Sequence, residues 1–351
     1  MLFWWNKNKQ IESTLNEYDD HRFVSYISDP KSQLTGFIAL HRVNQEIPAF
    51  GATRVFPYNT EVGALKEALR LSKFMSYKSA LAGLKYGGGK AVLIAPKGNR
   101  SHFMKAYAEK LNFLNGRFIT GADLGVSENE VVFLKSFSPF IVGVKSNPVY
   151  YTTLGIERAL EVCADTIFGS RNFSKRSIAI QGMGKIGSSL LDRVYGKFNK
   201  IFISDIDRNR IKSIKKIYPK VLVIEPNKIH KQDVDIFCPC ALGQIVNIET
   251  IGKMHCKIIA GGANDQLQNP QVGELLFKLG ILYAPDYVIN AGGLISVVNE
   301  YENKQISKKS IEERVMNIPK ILNKILAISQ QTKKATNLVA DAMAEKIFNK
   351  H

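Results

Sequence analysis

Ser177-Ile-Ala-Ile-Gln181-Gly182-Met183-Gly184-Lys185-Ile186-Gly187-Ser-Ser-Leu-Leu191, followed by Lys200-Ile-Phe-Ile-Ser204-Asp205, decides the fold. An apolar run with strand character ends in G-x-G-x-x-G, a helical pattern opens inside the glycines, and a second apolar run ends in an acid about 20 residues on. Each part has a physical task. Gly182 permits the tight turn, Gly184 lets a pyrophosphate approach the backbone, and Gly187 lets helix and strand pack closely. The amides of Met183, Lys185 and Ile186 and the positive end of the helix dipole suit phosphates. Asp205 would accept from ribose hydroxyls and repel a 2′-phosphate, favouring NAD, while Arg208 keeps NADP from being excluded.

Strand and helix patterns alternate on both sides of this motif. A second unit begins near Pro148, after Lys145-Ser-Asn-Pro148, with a helix over 152–168. Strands are expected over 221–224, 234–237, 257–260 and 281–283. At or just beyond their carboxyl ends stand Pro239-Cys240-Ala241-Leu242-Gly243, Gly261-Gly-Ala-Asn264 and Asn290-Ala-Gly-Gly293. Ligands of open α/β sheets bind at that edge, which makes Asn264 and Asn290 candidates for the nicotinamide side of the cofactor. Residues 308–351 read as two helices that fold back over the cleft or the first domain.

The first half is also α/β. Strands are expected over 22–28 and 35–41, and a helix over 60–82 with Val62, Leu65, Leu69 and Met75 on its buried face. A strand over 91–95, a helix over 102–115 and a short strand over 117–120 follow. Asp123 then lies on a loop before a helix opened by the Ser127/Glu130 capping box, a place where α/β folds collect functional groups.

Lys78-Ser-Ala-Leu-Ala-Gly-Leu-Lys-Tyr-Gly-Gly-Gly-Lys90 runs directly into the apolar stretch Ala91-Val-Leu-Ile-Ala95. It is not a triphosphate loop: that loop needs a glycine where Leu84 stands and Ser or Thr where Ala91 stands, and it leads into a helix. A lysine set against close-packed glycine backbone can have its pKa lowered and do chemistry.

Composition narrows the class. At 351 residues, 45% hydrophobic and 23% charged, the chain suits a two-domain globular protein. The net charge of +17 is scattered in short lysine groups, without aromatic interleaving or a nucleic-acid module, so no nucleic-acid partner is expected. Met1-Leu-Phe-Trp-Trp5 is too short for a signal sequence, and the absence of a long apolar run argues against a membrane span. Cys163, Cys238, Cys240 and Cys256 fit a reducing cytoplasm and read as small buried thiols. Cys238-Pro239-Cys240 lacks the second pair that a zinc site needs, and no metal is expected.

A nicotinamide site in one domain, with two lysines and an aspartate from the other, suits hydride removal from a small charged substrate. One lysine can pair with a carboxylate, a second, kept partly neutral, can act as a base, and Asp123 can move a proton on an amine. That set suits oxidative deamination of an amino acid.

The strings Lys78 to Lys90, Ile119-Thr-Gly-Ala-Asp123, Pro239 to Gly243 and Ala284-Pro-Asp-Tyr-Val-Ile-Asn-Ala-Gly-Gly293 resemble the leucine/phenylalanine/valine branch of the amino-acid dehydrogenases, from about Thr35 to the C-terminal helix. The resemblance implies a substrate and oligomerisation domain (1–147), a Rossmann NAD-binding domain (148–330), a C-terminal helix (331–351) packing back toward the first domain, a cleft that closes on turnover, and a homo-oligomer. It implies that Lys90 activates the water that attacks the imino carbon, that Lys78 binds the substrate carboxylate, and that Asp123 exchanges protons with the substrate nitrogen. Thr152, Asn264 and Ala241 fall at cofactor positions, and Gly51 at a substrate position. Phe50, Gly121, Leu294 and Val297 match the side-chain pocket. Gly121, whose missing side chain makes room, and Leu294 resemble the phenylalanine type, and the remaining strings the leucine type; a methylene in such a pocket is worth only about 1–3 kcal/mol. The expectation is NAD-dependent, reversible deamination of an apolar, branched-chain type L-amino acid, with phenylalanine as the alternative. Two departures stand out. Ala52 replaces the second glycine of the pair before Thr53-Arg54, and Lys85 stands where asparagine is common. They leave room for a more remote alternative, a catalytically weak NAD-binding sensor.

Overall fold

The computed structural model describes residues 17–43, 46–241, 243–303 and 305–348. Met1–Trp5, Leu242 of the Pro239–Gly243 string, Lys304 and the last three residues lie outside these. The chain forms two units. One takes in the described residues up to Asn147 together with Ser296–Ile306; the other takes in Pro148–Ile295 and the described residues from Ser307 onward.

The first unit is built on β1 (His21–Asp29), β2 (Leu34–His41), β3 (Ala49–Phe56), β4 (Gly87–Ile94) and β5 (Phe118–Ala122), in the order β1-β2-β4-β3-β5. β3 is parallel to β4 and β5, whereas β2 is antiparallel to β1 and β4. Alternation along the strands sorts residues to two faces. Phe37, Ala39 and Val92 pack with Ala64, Ala68 and Leu69 of helix Glu61–Leu81. Ile38, Leu40, Ala91 and Leu93 pack with Phe103, Met104, Tyr107 and Leu111 of helix Arg100–Asn112. The Ser127/Glu130 capping box opens helix Glu128–Phe137.

Two expectations change here. The glycine run does not precede a strand; it is the first half of β4. A Cβ on Gly88 would lie 2.1 Å from Ser76 N and 2.2 Å from Ser72 O, so this glycine lets strand and helix backbones touch. Val62 is 58% exposed: the buried residues of this helix begin only at Ala64, two positions on and on another side of the helix.

The second unit carries β6 (Ser177–Gln181), β7 (Lys200–Ser204), β8 (Leu222–Val223), β9 (Ile236–Pro239), β10 (Ile258–Ile259) and β11 (Leu282–Tyr283), all parallel, in the order β11-β10-β9-β6-β7-β8. The order reverses between β6 and β9, which is the switch point of a doubly wound sheet, where ligands bind. Helix Pro148–Phe168 and three further helices follow the expected alternation.

The tail differs from its expected form. It holds three helices, Lys308–Val315, Asn317–Thr332 and Thr336–Phe348: the expected first helix is divided at Met316, whose N–H closes the last turn onto Glu312 O and Arg314 O, and Lys333, with a left-handed φ of 54°, ends the second. The last helix is tied into the second unit: Thr336 Oγ1 donates to Tyr283 O at 2.6 Å, Asn337 Nδ2 to Pro270 O at 3.2 Å, and Tyr287 Oη to Asp341. Helix Gly292–Glu302 begins in the second unit and ends in the first, where Glu300 accepts hydrogen bonds from the backbone N–H groups of Gly143, Val144, Lys145 and Ser146.

Candidate active site

In the first unit Lys90 sits mid-strand in β4, opposite Ala39 of β2 and Ala52 of β3. Val92, two residues on, packs on helix Glu61–Leu81, so the period of two puts Lys90 on the same covered face. Asp123 follows β5, its N–H donating to Thr53 O at 3.1 Å. Lys90 Nζ donates to Asp123 Oδ2 at 2.5 Å, and Arg54 Nε donates to the same oxygen at 3.0 Å. The Arg54 guanidinium also pairs with Glu67. The result is a chain of alternating charges, Lys90–Asp123–Arg54–Glu67, with Lys90 only 3% exposed.

Burial pushes the Lys90 ammonium below the ordinary lysine range, Asp123 opposes that shift, and the Arg54 charge adds to it. Burial works against ionisation of Asp123, yet Lys90 and then Arg54 hold its carboxyl well below the carboxylate range. Arg54 is raised against its burial by Asp123 and Glu67. On the opposite face Thr53 Oγ1 bonds to Tyr107 Oη at 2.6 Å and to Thr120 Oγ1 at 2.9 Å, fixing β3 against β5 behind the charged set.

Lys78 lies in the last turn of helix Glu61–Leu81 and is 7% exposed. Phe50 is fully buried, its ring 4.5 Å from Tyr86 and 5.2 Å from Tyr301 between centroids. A Cβ on Gly51 would lie 1.7 Å from Gly89 O, so that glycine serves the close pairing of β3 and β4. Gly121 is half-buried, and a Cβ on it would lie 3.0 Å from Val142 O, a tight contact with backbone. Ala52 pairs with both Lys90 and Gly121, and the Lys85 ammonium lies 5.5 Å from the Tyr86 ring centroid. Val297 is buried and belongs to this unit; Leu294, also buried, belongs to the other.

In the second unit Gly182 takes φ 91°, and a Cβ there would lie 2.7 Å from Ala241 Cβ. A Cβ on Gly187 would lie 1.8 Å from Gly182 O, which accounts for that glycine. Gly184 caps helix Lys185–Val194 without a side-chain bond, and a Cβ on it would meet nothing within 4 Å. The helix N-terminus thus has room for an anion. Met183 N–H donates to Asp205 Oδ2 at 2.7 Å; Lys185 is exposed, and Ile186 packs over Gly262. Asn290 Nδ2 donates to Asn264 Oδ1 at 2.9 Å, while the buried Asn290 Oδ1 has no hydrogen-bond partner. Thr152 is buried where Gly293 approaches it. An open glycine cradle, a strand-end acid and an unmatched amide oxygen fit a dinucleotide.

The cation on Asp205 is Arg210, not Arg208, which is exposed. Arg210 Nη1 stands 3.1 Å from both Asp205 oxygens, and the N–H groups of Met183 and Asp207 complete the carboxylate's four acceptor positions. Burial opposes ionisation of Asp205, but these donors hold its carboxyl below its usual range. Among the described residues no group of three or more His, Cys, Asp or Glu is placed to hold a metal ion, and no helix is long and apolar enough to cross a membrane.

Residues 24–137 match the profile of the Glu/Leu/Phe/Val dehydrogenase dimerisation domain, and residues 197–349 that of Glutamate/Leucine/Phenylalanine/Valine dehydrogenase. The chain belongs to this family. It is an amino-acid dehydrogenase, and its family is one of NAD(P)-dependent enzymes. It is 38% identical to L-tryptophan dehydrogenase of Nostoc punctiforme over 94% of each chain, and 35% identical to leucine dehydrogenase of Bacillus cereus over 96% of this chain and 93% of that one. Phenylalanine dehydrogenase of Bacillus thermotolerans is 38% identical over 80% of this chain and 76% of its own. The crystal structure of the Nostoc dehydrogenase superposes with a TM-score of 0.77 at 36% identity, covering 97% of this chain and 99% of that one.

Sequence reasoning about this dehydrogenase missed Arg54, Glu67 and Arg210. Signals existed for two of them: Arg54 is a charged residue two positions from Ala52 within an apolar strand, and Arg210 lies one helical turn beyond the N-cap Asp207. Glu67 had none.

Proposed function

We propose that the chain catalyses the reversible, NAD-dependent oxidative deamination of an apolar L-amino acid to its 2-oxo acid and ammonia. The observation that carries this reading is the buried Lys90–Asp123 pair, 2.5 Å apart and flanked by Arg54. A bound nicotinamide supplies the hydride acceptor. Lys78 pairs with the substrate carboxylate as a point charge. Asp123, held ionised by Arg54 and Lys90, takes and returns a proton at the substrate nitrogen, and Lys90, whose pKa burial lowers, once deprotonated draws a proton from the water that adds to the imino carbon.

The side chain accepted is of the branched-chain type, matched by Phe50, Leu294 and Val297, with an aromatic side chain as the second reading. The tryptophan and phenylalanine dehydrogenase relatives favour that second reading. Asp205 selects NAD by facing the ribose hydroxyls once Arg210 moves aside. A homo-oligomer built through the first unit rests on the dimerisation profile over residues 24–137. Four cysteines without a disulfide suit a reducing cytoplasm.

The test is a panel of apolar, aromatic and acidic L-amino acids at mildly alkaline pH, with NAD and NADP in parallel. Reduction of NAD with leucine, valine or isoleucine supports the reading, and faster turnover with tryptophan or phenylalanine selects the aromatic one. Cofactor binding without turnover on any of them would overturn it in favour of a sensor.

A further inference from the structure

The Cys238 and Cys240 sulfurs lie 3.7 Å apart, flanking Pro239 at the carboxyl end of β9. This is the strand beside β6 at the switch point. Cys238 is fully buried and held by strand pairing to Ile180. Cys240 is half-buried and lies just past the strand, where its N–H donates to Gln181 O at 2.7 Å and its Sγ accepts from Gly262 N–H at 3.5 Å. We propose that these two thiols form a redox-sensitive pair that closes to a disulfide in the presence of a peroxide and, when closed, weakens dinucleotide binding. The second half rests on the reading of the Gly182–Gly187 loop as the dinucleotide site.

Residues i and i+2 of an extended segment share a face, so the thiols are aligned by the backbone. A disulfide needs about 2.0 Å between sulfurs, so they must approach by roughly 1.7 Å. Cys238 is fixed in the sheet, which leaves Cys240 to move. Its neighbour Ala241 packs against the Gly182 turn, where even a Cβ on Gly182 would lie 2.9 Å from Ala241 N. Closure therefore pulls on the turn that must admit the pyrophosphate, and breaks the Gly262 contact beside Ile186.

The two sulfurs are unequal. The Cys238 S–H bond toward Cys240 lowers the Cys240 thiol's pKa, while burial pushes the Cys238 thiol well up. Cys240 is thus the attacking thiolate. It attacks one oxygen of hydrogen peroxide, the O–O bond breaks, and a sulfenic acid and hydroxide result. The Cys238 sulfur then attacks the Cys240 sulfur, its proton leaves with the displaced hydroxide as water, and the S–S bond forms. Two thiols and one peroxide give one disulfide and two waters, the sulfurs losing two electrons and the peroxide gaining them. Cys163 and Cys256 are buried, and burial pushes both thiols up to about 12, so they stay reduced.

The test treats the full chain with hydrogen peroxide, alkylates it, and measures intact mass, peptide masses and NADH affinity by fluorescence titration. The expected result is loss of two of the four alkylatable thiols, a bond mapped to Cys238 and Cys240, and NADH affinity weaker by roughly tenfold, reversed by dithiothreitol. Saturating NADH should slow closure by reciprocity. Cys238→Ser, which keeps a donor toward Cys240 but cannot form the bond, should bind NADH normally and stop at a dimedone-reactive sulfenic acid on Cys240. Four thiols surviving peroxide would overturn the pair. A disulfide that leaves NADH affinity unchanged would overturn the coupling. Reduced protein that fails to bind NADH would overturn the cofactor reading and with it the coupling, while the mass measurement still decides the pair.

Discussion

Arg54 Nε and Lys90 Nζ converge on one oxygen of Asp123, at 3.0 and 2.5 Å. A single carboxylate oxygen thus lies between two cations; the Arg54 charge helps to lower the Lys90 pKa, while Asp123 raises that of Arg54.

Lys90 must be neutral to take a proton. Burial lowers its pKa from 10.5, so the deamination kcat/KM should rise with pH through an apparent pKa below that value. Lys90→Met should lower kcat by about 10²- to 10⁴-fold and remove this limb from the pH profile. A profile that keeps the limb in the variant would assign it to another group.

Arg54 acts through Asp123 and Lys90 and is a positioning residue. Arg54→Met removes a like charge near Lys90, so the Lys90 limb should move up. Glu67 would then be left without its cation, and the double variant with Glu67→Gln should recover folding and, because the Glu67 charge raises the Lys90 pKa, move the limb part of the way back down. Thermal melts and pH–rate profiles on the pair separate the two effects.

Arg210 occupies the carboxylate that is expected to face the ribose. Arg210→Ala should tighten NAD by a few-fold and weaken NADP, since the cation available to a 2′-phosphate is lost. Parallel KM measurements with both cofactors read the ratio; an unchanged ratio would mean that Arg210 stays on Asp205 with either one bound.

Gly88→Ala places a methyl 2.1 Å from backbone nitrogen of Ser76, where no side chain can swing away. Overpacking of this kind destabilises by about 1–3 kcal/mol or more. A drop in the denaturation midpoint with unchanged slope would show it. Gly184→Ala, whose methyl meets nothing within 4 Å, is the matched comparison.

What was legible in the chain was what lies close together along it. Gly182 to Asp205 is a contiguous motif, and the doubly wound sheet and the family follow from it. Lys78 to Lys90 gave the two lysines and close-packed glycine backbone beside them, but not what the glycines pack against: Gly88 and Gly51 answer to Ser76 and Gly89 across the helix and sheet, contacts invisible in spacing. Arg54 meets an aspartate 69 positions away, which no local pattern reports. Val62 fitted a helical spacing and still faces water, because the residues that are buried, Ala64, Ala68, Leu69 and Ser72 among them, centre on a face to one side of it. Cys238 and Cys240 were read as inert buried thiols, a reading that burial supports for one and the 3.7 Å contact changes for both.

Glu300 gathers four backbone amides of residues 143–146 onto one carboxylate, although the whole stretch Pro148–Ile295 of the other unit intervenes in the chain. The first unit is therefore not a separable N-terminal fragment. A gene cut after Asn147 would discard its own latch, leave those amides to water, and strip Tyr301 from the Phe50 ring. Expressing that unit alone calls for a circularly permuted or linker-joined version that carries 296–306 with it.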